Sequence, residues 1–145
     1  MMGERLILSS NNRIGKNPTI FSSVRFGNVL DSSGSILQIF REQISRNYPL
    51  TITDMKMTRF FINLENAIKL CFYAEENMIG GEIYVKKIPS MTIVDIANAI
   101  APGVKQEIIG IRPGEKLHEQ MIGVEDSPHT YEYDTYFKIL PAIHN

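Results

Sequence analysis

Short β-branched or aromatic runs alternate with amphipathic helical segments along nearly the whole chain, and few architectures accommodate that rhythm. TIFSSVR (19–25), PLTITD (49–54), MTRFFI (57–62), EIYV (82–85) and residues 106–111 read as strands or extended segments. Helical patterns lie between most of them, which points to an α/β fold. The connections are short, so the 145 residues read as one unit without an interdomain linker.

The helical segments carry their own punctuation. Residues 3–13 read as a helix, and Gly15 stands where one stops. This helix starts without a cap or a preceding strand, as an element cut in the middle would. Ser35 is placed to cap a second helix, with Gln38 completing a capping box and Ile36, Leu37, Ile39, Phe40 and Ile44 forming its apolar stripe. Asn63 can cap a third, whose expected core face is Leu64, Ala67, Ile68, Cys71 and Phe72. Glu65 and Lys69 add an i,i+4 pair on its wet side. Gly80-Gly81 ends that segment. Thr92 and Asp95 open a fourth helix, with Ile93, Ile96, Ala97 and Ile100 facing inward, and Pro102-Gly103 stops it. A further helix is expected from about Leu117. The tail, TYEYDTYFKIL, reads as one or two edge strands.

Composition removes several function classes. A net charge of -1 offers no electrostatic footprint for nucleic acid or an anionic membrane. No apolar run approaches the ~20 residues of a membrane helix. No secretory signal is visible at the start. The single cysteine, Cys71, excludes an internal disulfide and fits a reducing cytoplasm; it is expected as inert core packing. The dinucleotide fingerprint GxGxxG and the Walker motif are both missing.

Two stretches carry candidate chemistry. FGNVLDSSGS (26–35) lies between a strand end and a helix N-terminus, where α/β sheets bind ligands and anions are favoured. Asn28 and backbone groups near Ser35 either contact a phosphorylated ligand there or belong to an ordinary polar loop. In IGIRPGEKLHEQM (109–121) a β-branched run leads into Arg112, and Pro113-Gly114 forces a turn before Glu115. Arginine supplies a bidentate fork for phosphate, and glutamate accepts from sugar hydroxyls. A salt bridge between Arg112 and Glu115 is the competing reading. Arg59, between apolar residues in MTRFF, must snorkel, pair with a carboxylate or grip a ligand. His118 has no nucleophile placed beside it and reads as structural. His129 and His144 lack ligand spacing, so no metal site is assigned.

Taken together, VRFGNVL, SSGS, PLTITD, MTRFF, GGEIYV, KIPSM, IVDIA and IGIRPGEKLHE, in that order, resemble the C-terminal half of the polysaccharide-biosynthesis nucleotide-sugar dehydratases. These form a branch of the extended short-chain dehydrogenase/reductases. KIPSM and RPGEKLHE are most similar to the inverting UDP-N-acetylglucosamine 4,6-dehydratases. The resemblance implies the last Rossmann strand or strands plus a substrate-binding subdomain, with residues 1–145 a single, N-terminally truncated domain. It implies a lyase of surface-polysaccharide or pseudaminic acid-type sugar biosynthesis, working on a UDP-sugar and assembling as a homo-oligomer at full length. NADP would be bound mainly by a Rossmann half absent from this chain, as would the catalytic lysine motif. No catalytic residue is therefore expected here, and the chain alone is expected to be inactive. A non-catalytic nucleotide-sugar-binding or interaction module, from a split gene or a remnant, is the alternative.

By the same resemblance Asn28 lies near the nucleotide diphosphate, Arg59 and Arg112 grip the pyrophosphate, and Glu115 meets the ribose hydroxyls. Three departures stand against this. Asp31 replaces the usual glycine, Gln38 the usual proline, and Asn47-Tyr48 a glycine-rich pair. A carboxylate at Asp31 would weaken anion binding unless it points away.

Overall fold

The computed structural model describes residues 2–13, 15 and 19–141. In chain order, α1 (Met2–Ser9) runs on as a 3-10 turn, Ser10–Arg13, followed by β1 (Ser23–Arg25), β2 (Asn28–Val29) and α2 (Ile36–Ser45). Next come β3 (Leu50–Ile52), β4 (Thr58–Ile62), α3 (Leu64–Asn77), β5 (Ile83–Lys86) and β6 (Ser90–Thr92). The remainder is α4 (Ile93–Ile100), β7 (Gln106–Ile108), a 3-10 turn at Ser127–His129, β8 (Thr130–Glu132) and β9 (Tyr136–Ile139). The expected α/β alternation is present.

The elements divide into two units. The first, comprising residues up to Phe26, Glu65–Lys87 and residues from Met121 onward, holds a four-stranded sheet in the order β1-β5-β9-β8. β1 and β5 are parallel; the other pairings are antiparallel. Side chains on β5 alternate between faces, as the pleat requires. Tyr84 packs with Leu70, Ala74 and Tyr136, whereas Ile83 and Val85 pack with Ile139, Leu8, Met121 and Ile122. Arg25 on β1 is nearly buried and paired with Glu4 and Asp126, and it donates to the carbonyl of Met121. Glu82 is buried, and its carboxylate accepts from the backbone N–H groups of Ile79 and Gly80, each at 2.7 Å. That satisfies a charge that would otherwise be costly to bury.

The second unit, Gly27–Leu64 and Ile88–Gln120, holds the sheets β2-β4-β6 and β3-β7. Its core is Phe40 of α2, Leu50 and Ile52 of β3, Met57, Phe61 of β4, and Ile93, Ile96 and Ala97 of α4. The inward positions expected for α4 are those observed. Thr92 caps this helix by accepting from the N–H of Asp95 at 3.0 Å, as the capping-box pattern predicts.

Four local expectations are corrected. The buried face of α3 is Ala67, Leu70 and Ala74, while Leu64, Ile68, Cys71 and Phe72 are exposed. The sheet opposite carries bulky Tyr84 and Tyr136, and only a face rich in alanine can close on them. No helix begins at Leu117. Its carbonyl accepts from the N–H of Thr58 at 3.1 Å and from the Arg59 guanidinium at 3.2 Å, so it is not available to a helical partner four residues on. β9 is not an edge strand, because it lies between β5 and β8. The capping box at α2 is replaced: Ser35 makes no side-chain cap bond, and Gln38 accepts from the N–H of Gly34.

Candidate nucleotide-sugar site

The second unit contains a cavity of about 530 Å³ whose walls come from the loop after β2, from β3 and β4, and from the turn beyond β7. Asn28, Arg59, Arg112 and Glu115 all line it. Residues separated by more than eighty positions are thus brought together by two parallel pairings. β2 runs beside β4, setting Asn28 opposite Phe61. β7 runs beside β3, and the N–H of Ile109 extends that ladder by bonding to the carbonyl of Ile52.

The Arg112–Glu115 turn is built as its residues require. The N–H of Glu115 donates to the carbonyl of Arg112 at 3.0 Å, with Gly114 at φ 83°. Proline followed by glycine with positive φ defines a type II turn. The two side chains do not pair with each other. Glu115 lies 3.5 Å from the Nη2 of Arg59 and accepts weakly from the backbone N–H of Arg112 at 3.4 Å. Among the described residues the exposed Arg112 guanidinium has no ion-pair or hydrogen-bond partner.

Arg59 is held far more tightly. Its side chain is 11% exposed; Nη1 donates to the carbonyls of Thr58 and Leu117, and Nε lies 3.5 Å from Glu119. His118 bonds to the Thr58 hydroxyl through Nδ1 at 2.8 Å, which agrees with a structural role.

The departures at Asp31 and Asn47 acquire a backbone reason, and that at Gln38 a side-chain one. Asp31 has φ 62° and Asn47 φ 54°. Aspartate and asparagine are the side chains that best tolerate this left-handed region where glycine would otherwise serve. The Asp31 carboxylate pairs with Arg41 and does not line the cavity. Gln38 donates to the Asp31 carbonyl while accepting from Gly34, closing the loop over the start of α2.

Sequence reasoning missed Thr51, Thr53, Ser32 and Ser33, which also line the cavity. The Thr/Ile alternation of PLTITD held the signal for two of them. Leu50 and Ile52 are buried in the core, so the threonines between and after them take the opposite face. The Ser35 hydroxyl, at the cavity wall and the start of α2, is buried without a hydrogen-bond partner among the described residues.

A family model for the polysaccharide biosynthesis proteins matches residues 1–141. The chain belongs to this family. Among curated relatives, the inverting UDP-N-acetylglucosamine 4,6-dehydratase of Campylobacter jejuni is 46% identical over 144 residues, which are 99% of this chain and 43% of that protein. A UDP-glucose 4-epimerase of Rickettsia canadensis is 36% identical over 94% of this chain and 41% of its own. Of solved structures, Pen from Bacillus thuringiensis superposes with a TM-score of 0.90 at 35% identity, covering 96% of this chain and 46% of that one. The chain therefore spans less than half the length of the curated relatives it matches. The α/β sheets described above are shared with the Pen structure over 96% of this chain.

Proposed function

We propose that this chain is the substrate-binding portion of a UDP-N-acetylglucosamine 4,6-dehydratase of the inverting type, acting in surface-polysaccharide sugar biosynthesis. The observation that carries the reading is the convergence of Asn28, Arg59, Arg112 and Glu115 on one cavity, with the Arg112 fork unpaired among the described residues. A UDP-sugar presents a pyrophosphate and a ribose diol, which call for a cationic fork and a fixed acceptor. Arg112 grips the pyrophosphate, Arg59 adds positive charge beside it, and Glu115 accepts from the ribose hydroxyls. Asn28 donates to the diphosphate, and the orphaned Ser35 hydroxyl at the N-terminus of α2 gives an anion a further donor. The similarity to the Campylobacter protein supports this choice of sugar and of elimination.

In this reading the nicotinamide dinucleotide is bound mainly outside these residues. The sequence has no GxGxxG, and the glycine of the loop after β1, Gly27, is packed against Phe60 and does not open onto a phosphate. NADP would carry hydride in the reaction, and these side chains act on the substrate. They bind and orient the nucleotide-sugar.

Calorimetric titration with UDP tests the reading. The parent chain binds UDP, and Arg112→Ala weakens that binding at least about tenfold, the effect of losing roughly 1.5–3 kcal/mol of charged hydrogen bonding. Equal affinity in parent and variant overturns the assignment. No 4-keto sugar is expected when the chain is mixed with NADP and UDP-N-acetylglucosamine; its appearance would show that this half is active alone. The epimerase relative is named for a UDP-sugar too, and comparing UDP-N-acetylglucosamine with UDP-glucose separates the two sugars.

A further inference from the structure

Every nitrogen of the Arg59 guanidinium faces a protein acceptor, with hydrogen bonds at Nη1 and ion-pair contacts of 3.5 Å at Nη2 and Nε. Nη1 serves two carbonyls, Nη2 lies against Glu115, and Nε lies against Glu119. Arg112, by contrast, keeps its whole fork without a protein partner among the described residues. The two arginines therefore do different work. Glu115 lines the cavity, whereas Glu119 does not. Glu119 thus meets Arg59 from a side other than the ligand's. The carbonyl of Leu117, between the two glutamates, is bonded to Thr58 and Arg59, and His118 is bonded to the Thr58 hydroxyl. Residues 115–119 have no regular secondary structure, so these side-chain and carbonyl bonds to β4 set their path.

We infer that Glu119 is a positioning residue for the nucleotide's ribose: it anchors Arg59, and the anchored Arg59 holds the Glu115 carboxylate where the ribose hydroxyls reach it. The inference rests on the proposed UDP-sugar site and deepens it. An arginine bridging two carboxylates keeps both in register, because its nitrogens form a rigid planar fork. Replacing Glu119 by an uncharged side chain frees one side of that fork. Arg59 can then shift, and Glu115 loses its fixed acceptor geometry. Arg112 takes no part in the bridge, so its hold on phosphate is unchanged.

The test compares three probes on the parent chain and on Glu119→Gln by calorimetry: UDP, UDP lacking both ribose hydroxyls, and inorganic pyrophosphate. The parent is expected to favour UDP over the dideoxy analogue about tenfold, the worth of roughly one charge-assisted hydrogen-bond set. Glu119→Gln is expected to cut that preference below about threefold while pyrophosphate affinity changes by less than about twofold, because Arg59 keeps its charge. Retained pyrophosphate binding also shows that the variant is folded. An undiminished preference for UDP in the variant overturns the inference and leaves the Arg112 assignment standing. Equal loss for pyrophosphate and UDP overturns it as well, since Glu119 would then support the phosphate grip or the fold. Failure of the parent to bind UDP removes the site reading and this inference together.

Discussion

Gly27 and Phe60 approach so closely that a Cβ on Gly27 would lie 2.2 Å from the Phe60 carbonyl oxygen. The neighbour is backbone in the middle of β4 and cannot yield cheaply. Gly27→Ala must push β2 away from β4, carrying Asn28 with it. A loss of about 1–3 kcal/mol is expected in urea unfolding, the usual cost of overpacking. UDP binding should weaken too. A variant as stable as the parent would mean that the β2–β4 pairing can relax at no cost.

The two faces of α3 should respond in opposite ways. Leu70 is 4% exposed and packs on Tyr84, so Leu70→Ala should cost about 2–5 kcal/mol. Phe72 is 60% exposed, and Phe72→Ser should change stability by less than about 0.5 kcal/mol. Parallel denaturant titrations of the two variants check this; comparable losses would contradict the observed face.

Asp31 stands at φ 62° with its carboxylate on Arg41. Asp31→Gly relieves the backbone and loses only an exposed ion pair, so stability should stay within about 0.5 kcal/mol of the parent. Asp31→Val puts a β-branched side chain in a region it avoids and should cost about 1–2 kcal/mol. Thermal unfolding of the two variants distinguishes backbone strain from loss of the pair.

Acid should loosen the first unit through Asp126. Burial raises its pKa, but the hydrogen bond and charge of Arg25 and the N–H of Gly123 outweigh it, and the carboxyl is held below its usual value. A depressed carboxylate contributes stability that is present above its unfolded pKa and is lost as pH falls through the folded one. The loss therefore falls below about pH 4. Asp126→Asn should be less stable than the parent at pH 7, and the difference should narrow below that point. A gap that stays constant down to pH 2 would show that the pair contributes nothing through ionisation.

The element pattern was legible in the chain because strands and helices advertise themselves by local period and by caps. Thr92–Asp95, the Pro113-Gly114 turn and the Leu50/Ile52 alternation needed nothing from elsewhere. Positions that depended on a distant partner were misread. The face of α3 follows from the size of the tyrosines on β5 and β9, which no window on the helix contains. The missing helix after Leu117 follows from hydrogen bonds that β4 donates to the Leu117 carbonyl. Asp31 looked like a hostile charge beside a phosphate site until the backbone showed a left-handed residue whose carboxylate belongs to Arg41.

The sequence by itself determined the α/β alternation, the family and four of the residues that line the cavity, since period, turn chemistry and motif order are properties of neighbours along the chain. Only the tertiary structure decided that Arg59 is bound between Glu115 and Glu119 while Arg112 keeps its donors, because which acceptors surround a guanidinium is set by strands that pair across long stretches of sequence.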